Sequence, residues 1–152
     1  MVEQGHGDLI TADVMALVNA VNTVGVMGKG IALQFKRAFP ANFQAYRDAC
    51  TRGEVRLGEM FLFDTEVPGP RRYIVNFPTK GHWRSRSQLG DIRAGLDALV
   101  DLVAQGGITS IAIPALGCGH GGLAWDDVRP LIEAACVRMP DVRVVVFQPS
   151  AR

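Results

Sequence analysis

Two segments of the sequence are unusually rich in glycine, and each lies between a strand-like run and a helix-like run. Residues 25–30 contain three glycines and residues 117–122 contain four. Glycine lets the backbone come close to a ligand and turn its N–H groups toward an anion, and the N-terminus of a following helix adds a favourable dipole. The alternative is that these glycines only permit tight turns. Two such loops on one sheet predict a site for a diphosphate that joins two sugar-bearing halves.

Neither loop fits a common phosphate-binding motif. Residues 25–30 have the glycine spacing of a Walker loop, but Ile31 and Ala32 replace the required Lys and Ser/Thr. Residues 117–122 match the G-x-G-x-x-G pattern of dinucleotide-binding folds. Such a fold places an acidic residue at the end of the next strand, whereas Asp141 precedes that strand here. A Rossmann dehydrogenase is therefore excluded.

Polar side chains near strand ends could bind the sugar and base parts of such a ligand. Asn19 and Asn22 precede the first glycine-rich loop, and an amide suits ribose hydroxyls or an ordered water because it both donates and accepts. Asp8 could accept a hydrogen bond from an exocyclic amine, although Asp is also an ordinary helix N-cap. Lys80 follows a strand-like run, where a solvated loop lysine is the alternative to a site residue.

A basic stretch lies between Glu66 and Asp91, which enclose no acidic residue. Basic side chains can track phosphates, and an aromatic ring can stack on a base. The alternative is a solvated basic loop. The cations of the stretch are Arg71, Arg72, Lys80, Arg84 and Arg86. The candidates for nucleic-acid contact are His82, Trp83, Arg84 and Arg86.

The elements that must position these residues alternate between β-branched runs and helical spacing. Strand-like runs cover residues 14–21, 60–63, 73–77, 109–114 and 142–147. Helix-like stretches cover residues 31–39, 40–50, 87–104 and 125–138. The third of these has a predicted apolar stripe of Leu89, Ile92, Leu96, Leu99, Val100 and Val103. This alternation predicts an α/β sandwich with a mostly parallel sheet, in which ligands bind where loops leave the carboxyl ends of strands.

Length and composition fit one globular domain. The chain has 152 residues, of which 48% are hydrophobic and 20% charged, and a core is expected from these values. Its apolar runs are shorter than the roughly 20 residues of a membrane helix, and its N-terminus lacks the features of a secretory signal. The three cysteines have no metal-ligand spacing, so we expect reduced thiols, no metal site and a cytoplasmic location.

Taken together, these segments resemble the macrodomain family from one end of the chain to the other. The segments that carry the family resemblance are residues 7–9, 18–22, 25–30 and 114–119. Within the family, the chain most resembles the branch of terminal ADP-ribose glycohydrolases and DarG antitoxins. The segments that carry this closer resemblance are residues 27–32, 35–36, 79–80, 116–119 and 123–125. Within that branch, residues 76–84 are similar to proteins of the DarG type. Proteins of the DarG type are DNA ADP-ribosyl glycohydrolases.

The resemblance implies a three-layer α/β/α macrodomain sandwich with a mixed, mostly parallel central sheet. It implies that Asp8 and Leu9 hold the adenine and that Phe147 stacks on it. The catalytic candidates are Lys80, which falls on the catalytic lysine of the branch, and Asn22, which would contact the distal ribose. The implied ADP-ribose-binding residues are Asp8, Leu9, Asn22, Met27, Gly28, Gly30, Ile31, Ala32, Thr79, Ala115, Leu116, Gly117, Cys118, Gly119, His120, Gly121, Gly122, Leu123 and Phe147.

One position departs from part of the branch. The human glycohydrolase pairs its lysine with an aspartate in the second loop, whereas Gly121 stands at that position here; DarG-type sequences also lack the aspartate. The departure therefore favours DNA as the substrate. His120 is either a substitute for that aspartate or an ordinary loop histidine.

The activity implied is removal of ADP-ribose from thymidine in single-stranded DNA, as the antitoxin to a DNA ADP-ribosyltransferase toxin. ADP-ribose is then part of the substrate, and no cofactor is expected. Lys80 would act either as an acid or electrostatic group or as a covalent nucleophile. We also expect a monomer and a single domain, residues 1–152, excised from a longer antitoxin. The alternatives are a hydrolase of protein-linked ADP-ribose esters, a non-catalytic ADP-ribose reader, and an RNA- or nucleotide-binding module of the same fold.

Overall fold

A computed structural model describes residues 2–149 of the chain. Residue 1 and residues 150–152, at the two ends of the predicted domain, lie outside the described residues. The strands are β1 (Val2–Gln4), β2 (Ala16–Asn22), β3 (Phe61–Asp64), β4 (Tyr73–Lys80), β5 (Ser110–Ile113) and β6 (Arg143–Val146). The helices are α1 (Gly30–Ala38), α2 (Pro40–Thr51), α3 (Leu89–Gly106) and α4 (Trp125–Val137), with a 3-10 turn at Leu9–Thr11. Over residues 2–149, no helix is long and apolar enough to cross a membrane.

The six strands form one sheet in the order β1-β6-β5-β2-β4-β3. All neighbouring strands are parallel except β3 and β4, which are antiparallel. Because parallel strands end at the same edge of a sheet, the loops that follow β2 and β5 emerge beside the end of β4. The predicted α/β sandwich with a mixed, mostly parallel sheet is confirmed, and both glycine-rich loops leave the carboxyl ends of strands as predicted.

Apolar side chains cover both faces of the sheet. The largest cluster joins the sheet to α3 and α4 through side chains such as Leu99 and Ile132. A second cluster contains Phe35 of α1, with Leu9 of the 3-10 turn. Tyr46 of α2 belongs to a third, smaller cluster beside the end of β2. The helices therefore form outer layers on a sheet whose carboxyl edge stays open for the loops.

Strand β4 extends three residues further than the apolar pattern predicts. The strand-like run predicted a strand that ended at Phe77. In the structure Pro78 pairs with Val21 of β2, while β3 pairs with β4 across residues 73–76. Pro78 thus lies past the end of the β3–β4 ladder and pairs with β2 alone. The extension makes Lys80 the last residue of a strand rather than a loop residue.

Two further differences concern the ends of elements. Helix α3 begins at Leu89 rather than Ser87, and Leu89 is 38% exposed, so its place in the predicted apolar stripe is wrong. The other predicted stripe residues are buried. Strand β1 was not predicted, because its three residues are too few to show an alternating pattern; it pairs with β6 through Val2–Gln4.

Candidate functional site

A cleft of about 530 Å³ lies at the carboxyl edge of the sheet. This volume is in the range of small-molecule sites, about 300 to 1,000 Å³. Its walls come from the ends of β2 and β4, the first turn of α1 and the two glycine-rich loops. The lining residues are Ala20, Val21, Asn22, Val26, Gly28, Lys29, Gly30, Ile31, Ala32, Thr79, Lys80, Trp83, Arg84, Pro114, Ala115, Gly117, Gly119, His120 and Gly121.

The cleft brings together twelve of the residues predicted for catalysis or ADP-ribose binding, together with Trp83 and Arg84. The predicted residues outside its lining are Asp8, Leu9, Met27, Leu116, Cys118, Gly122, Leu123, Phe147, His82 and Arg86. The prediction omitted Ala20, Val21, Val26, Lys29 and Pro114. Lys29 could have been found, since it lies inside the first glycine-rich loop.

The residues expected to hold adenine lie at the carboxyl ends of β1 and β6. Asp8 accepts a hydrogen bond from Ile10 N at 3.2 Å and caps the 3-10 turn, which is the alternative role considered for it. Leu9 is buried in the core. The half-buried ring of Phe147 packs on Gly5, where a Cβ would lie 2.6 Å from the ring. Contact of these side chains with adenine stays a prediction.

The first loop is held by the side chain of Asn22. Its Oδ1 accepts from Tyr46 Oη at 2.8 Å and from the backbone N–H groups of Val24 and Val26 at 3.1 and 3.3 Å. Its Nδ2 donates to Val26 O at 2.8 Å. Tyr46 is fully buried, and burial raises the pKa of its hydroxyl well above the ordinary value. Asn22 therefore keeps one N–H for a ligand, while its oxygen holds the loop.

Two residues near the first loop face the core instead of the cleft. Met27 is 1% exposed, and its Sδ lies 3.8 Å from Asn19 Nδ2. Asn19 is fully buried and donates to Asn76 Oδ1 at 3.4 Å. Asn76 also exchanges hydrogen bonds with Asn42. Asn19 is buried in this amide cluster and Met27 is buried against it, so neither residue lines the cleft. The side chain of Met27 thus packs between the first loop and the core.

The second loop is held by its backbone. Gly117 and Gly122 have φ of 74° and 78°, a region that favours glycine. Leu123 N donates to Gly117 O, and Ser87 N donates to Gly121 O, both at 2.9 Å. A Cβ on Gly121 would collide with Ser87 Oγ and lie 2.6 Å from Gly117 O. There is no space for a side chain at this position, which accounts for the missing aspartate.

Lys80 lies at the end of β4, directly across from Asn22 in the register of β2. Its Nζ donates to the carbonyl oxygen of Trp83 at 3.0 Å. Burial lowers the pKa of Lys80, and the positive charge of Lys29 lowers it further. The cleft thus contains an amine that loses its proton more readily than an ordinary lysine, beside a fixed amide donor.

A stacked group of side chains forms one rim of the cleft. Arg84 Cζ lies 4.5 Å from the centroid of the Trp83 ring, and the His82 ring centroid lies 5.0 Å from it. Trp83 is 39% exposed. Arg86 lies along the second loop, since a Cβ on Gly122 would be 3.1 Å from its guanidinium. We call residues 82–86 the rim segment.

The cysteines do not add a nucleophile to the cleft. Burial raises the pKa of the Cys118 thiol to about 11, so the thiol is protonated at neutral pH. Its Sγ donates to Leu116 O at 3.6 Å. Burial raises the pKa of Cys50 and Cys136 as well. Within residues 2–149, no group of His, Cys, Asp and Glu side chains is arranged to hold a metal ion.

Comparisons with known proteins agree with this architecture. The model of the Macro domain family matches residues 18–132. The chain is 53% identical over 151 residues to a DNA ADP-ribosyl glycohydrolase of Mycobacterium tuberculosis, covering 99% of this chain and 43% of that protein. The chain therefore spans about two fifths of the length of the curated relative it matches.

Solved structures give the same result. The macrodomain of Mycobacterium tuberculosis DarG matches with a TM-score of 0.97 and 52% identity, over 99% of both chains. A structure of Thermosipho africanus DarTG in complex with ADP-ribose matches with a TM-score of 0.89 and 36% identity, over 94% of this chain and 40% of that one. With its sheet order, its two glycine-rich loops and these matches, the chain belongs to the Macro domain family.

Proposed function

We propose that this chain is an ADP-ribosyl glycohydrolase that removes ADP-ribose from thymidine in single-stranded DNA. The observation that carries the proposal is the position of Lys80, in the cleft and with a lowered pKa, across from Asn22 and between the two glycine-rich loops. In this proposal the diphosphate lies against the backbone of residues 117–121. The distal ribose lies between Asn22 and Lys80, and the adenine lies toward Asp8 and Phe147.

The reaction is hydrolysis of the bond between the distal ribose carbon C1″ and a nitrogen of the base. As this bond breaks, positive charge develops on the ribose and negative charge on the base. Water adds its oxygen to C1″, and a proton ends on the base nitrogen. In one route Lys80 protonates or stabilises the departing base. In the other, the neutral amine attacks C1″ first and water releases the adduct, for which a lowered pKa is required.

Two features of the cleft favour DNA over protein as the carrier of ADP-ribose. The charged side chains that line it are Lys29, Lys80 and Arg84, all of them basic. The exposed Trp83 ring, stacked with Arg84, matches the combination of aromatic ring and cation by which proteins bind single strands. A hydrolase of protein-linked esters would need the cleft but not this rim. The relative in Mycobacterium tuberculosis is named a DNA ADP-ribosyl glycohydrolase, which supports the same choice.

The substrate is tested by comparing kcat/KM on two carriers of ADP-ribose. One is a single-stranded oligonucleotide with ADP-ribosylated thymidine, and the other is a peptide with ADP-ribose esterified to glutamate. We expect release of ADP-ribose from the oligonucleotide at least about 100-fold more efficiently, a difference of about 2.7 kcal/mol. Efficient release only from the peptide would replace DNA by protein as the substrate. Tight binding of free ADP-ribose with release from neither would leave a reader.

We further propose that the chain acts as a monomer in the cytoplasm, as the antitoxin module opposing a DNA ADP-ribosyltransferase toxin. The resemblance to DarG and the match to Thermosipho africanus DarTG support the antitoxin role. Co-expression with such a toxin tests it directly. We expect wild-type protein to restore growth and Lys80→Ala to fail at equal protein level, whereas equal rescue by both would show that hydrolysis is not what protects.

A further inference from the structure

A second cationic surface lies on α1 and α2, outside the lining of the cleft. The half-buried Phe43 ring has Lys36 Nζ 4.6 Å and Arg47 Cζ 5.5 Å from its centroid. Lys36 and Arg47 are exposed, and Arg47 donates to the neutral amide of Gln44 at 3.0 Å. We call Lys36, Phe43 and Arg47 the α1–α2 patch. Both cations lie against the ring, and Asp48, the residue after Arg47, accepts a hydrogen bond from Gln44 at 3.1 Å.

Backbone and side-chain contacts place the α1–α2 patch next to the first loop. A Cβ on Gly25 would lie 3.4 Å from Arg47 Cγ, and the next residue, Val26, lines the cleft. Ala32 also lines the cleft, and Lys36 is one helical turn further along the same face of α1. The patch therefore borders the cleft on the side of the first loop.

The rim segment is also joined to the first loop. Thr23 N and Thr23 Oγ1 donate to Gly81 O at 3.0 and 2.9 Å, one residue before the rim segment begins. Two cationic surfaces thus contact the first loop: the rim segment, whose Arg84 lines the cleft, and the α1–α2 patch with Lys36 and Arg47.

Charge is strongly segregated along the chain although the net charge is only +1. Residues 14–47 contain four basic residues and no acidic residue. Residues 67–90 likewise contain five basic residues and no acidic residue. These two segments contain both cationic surfaces and, together with residues 114–121, build the cleft. A field of one sign around a cleft attracts a polyanion and is weakened by salt. A single ADP-ribose would reach the cleft without cations beyond its edge, whereas a nucleic-acid strand would use them.

We propose that the α1–α2 patch binds backbone phosphates of the substrate strand, on the side of the modified base opposite to the rim segment. A single strand then crosses the mouth of the cleft, with its modified base held between the two surfaces. Lys36 and Arg47 each contact a phosphate, and Phe43 holds their side chains in position. This proposal rests on the proposed DNA substrate. It assigns the α1–α2 patch to the part of the strand that the rim segment does not bind.

The test uses a double variant, Lys36→Ala with Arg47→Ala, and substrates of two lengths. One substrate is a long single-stranded oligonucleotide with one ADP-ribosylated thymidine, and the other is the ADP-ribosylated mononucleotide. For the long substrate we expect KM to rise about tenfold with kcat unchanged, and the salt slope of its affinity to fall by about 1.4, as for two lost phosphate contacts. KM for the mononucleotide and the affinity for free ADP-ribose should not change.

A matched control removes two exposed cations elsewhere, Arg93→Ala in α3 with Arg129→Ala in α4. It lowers the net charge equally and should leave KM for the long substrate unchanged. An equal effect in both double variants, or none in the patch variant, overturns the proposal while wild-type hydrolysis stands. Binding of an unmodified oligonucleotide, followed by fluorescence anisotropy against salt, tests the patch independently of turnover. Absence of wild-type hydrolysis would instead overturn the proposed function.

Discussion

The two glycine-rich loops face each other across one cleft but are held by opposite means. The first loop depends on side chains: Asn22 bonds to Val24 and Val26, and Tyr46 bonds to Asn22. The second loop depends on backbone hydrogen bonds and on the absence of a side chain at Gly121. The first loop is therefore most sensitive to the loss of a polar atom, and the second to the gain of a single carbon.

Among the changes that affect how the loops are held, the largest effect is expected at Gly121. Gly121→Ala places a methyl group against Ser87 Oγ and Gly117 O, a backbone atom that moves only if the loop moves. We expect a loss of about 1–3 kcal/mol in the free energy of unfolding and at least a tenfold loss of ADP-ribose affinity, measured by denaturant unfolding and calorimetry. Gly119→Ala is the matched control for stability alone, since a Cβ there has nothing within 4 Å but Gly119 lines the cleft. Equal stability of the two variants would contradict the steric account.

The next effect is expected at Tyr46. Tyr46→Phe removes the hydroxyl that donates to Asn22 and leaves a buried acceptor with fewer partners, at a cost of about 1–3 kcal/mol. Because Asn22 then positions the first loop less well, we expect kcat/KM to fall about tenfold. Tyr73→Phe, at the start of β4 far from the cleft, is the control. If Tyr46→Phe loses stability but keeps kcat/KM, the first loop does not depend on this bond for activity.

A smaller effect is expected from Lys29, on the first loop, acting on Lys80. Lys29→Met removes a positive charge that lowers the pKa of Lys80, so that pKa rises. If the ammonium form is active, kcat falls as pH rises through this pKa, and the fall moves to higher pH in the variant. If the neutral amine attacks C1″, kcat rises with pH, and that rise also moves upward. A kcat–pH profile of wild type and variant therefore identifies the route. If the rise or fall of kcat with pH stays at the same pH in the variant, the titration of Lys80 does not cause it.

The smallest effect is expected at Met27, which lies under the first loop rather than in the cleft. Met27→Leu keeps the volume but loses the sulfur near Asn19, so we expect less than about 1.5 kcal/mol of destabilisation. ADP-ribose affinity, measured by calorimetry, should stay within twofold of wild type. A large loss of affinity would return Met27 to the ligand site that the resemblance implied.

The sequence predicted both loops well because glycine density and strand–helix alternation are local signals. It did not predict Tyr46, since the hydroxyl reaches Asn22 from a helix 24 residues away and nothing in the pattern of α2 distinguishes it from a core aromatic. Pro78 concealed the end of β4, because whether a proline breaks a strand depends on how far the neighbouring strand extends. The closure of Gly121 by Ser87 likewise depends on tertiary contact.

The residue type at a strand end does not reveal which way its side chain points. Asn19 and Asn22 looked equivalent in the sequence, yet Asn19 faces the buried amide cluster and Asn22 lines the cleft. Both side chains contact groups on the side of the sheet that α2 covers, Asn19 through Asn76 and Asn42, and Asn22 through Tyr46. Which of the two asparagines reaches the cleft therefore depends on tertiary packing, and their spacing in the sequence could not predict it.

We propose that the two loops present a bound ADP-ribose to Lys80 for cleavage. The direct test is single-turnover release of ADP-ribose from an oligonucleotide with ADP-ribosylated thymidine, by wild type, Lys80→Ala and Lys80→Arg. We predict that Lys80→Ala slows release by about 10²- to 10⁴-fold while its affinity for free ADP-ribose is unchanged. Partial activity in Lys80→Arg would favour an electrostatic role. Release by Lys80→Ala at the wild-type rate, with the cleft binding ADP-ribose normally, would contradict the account.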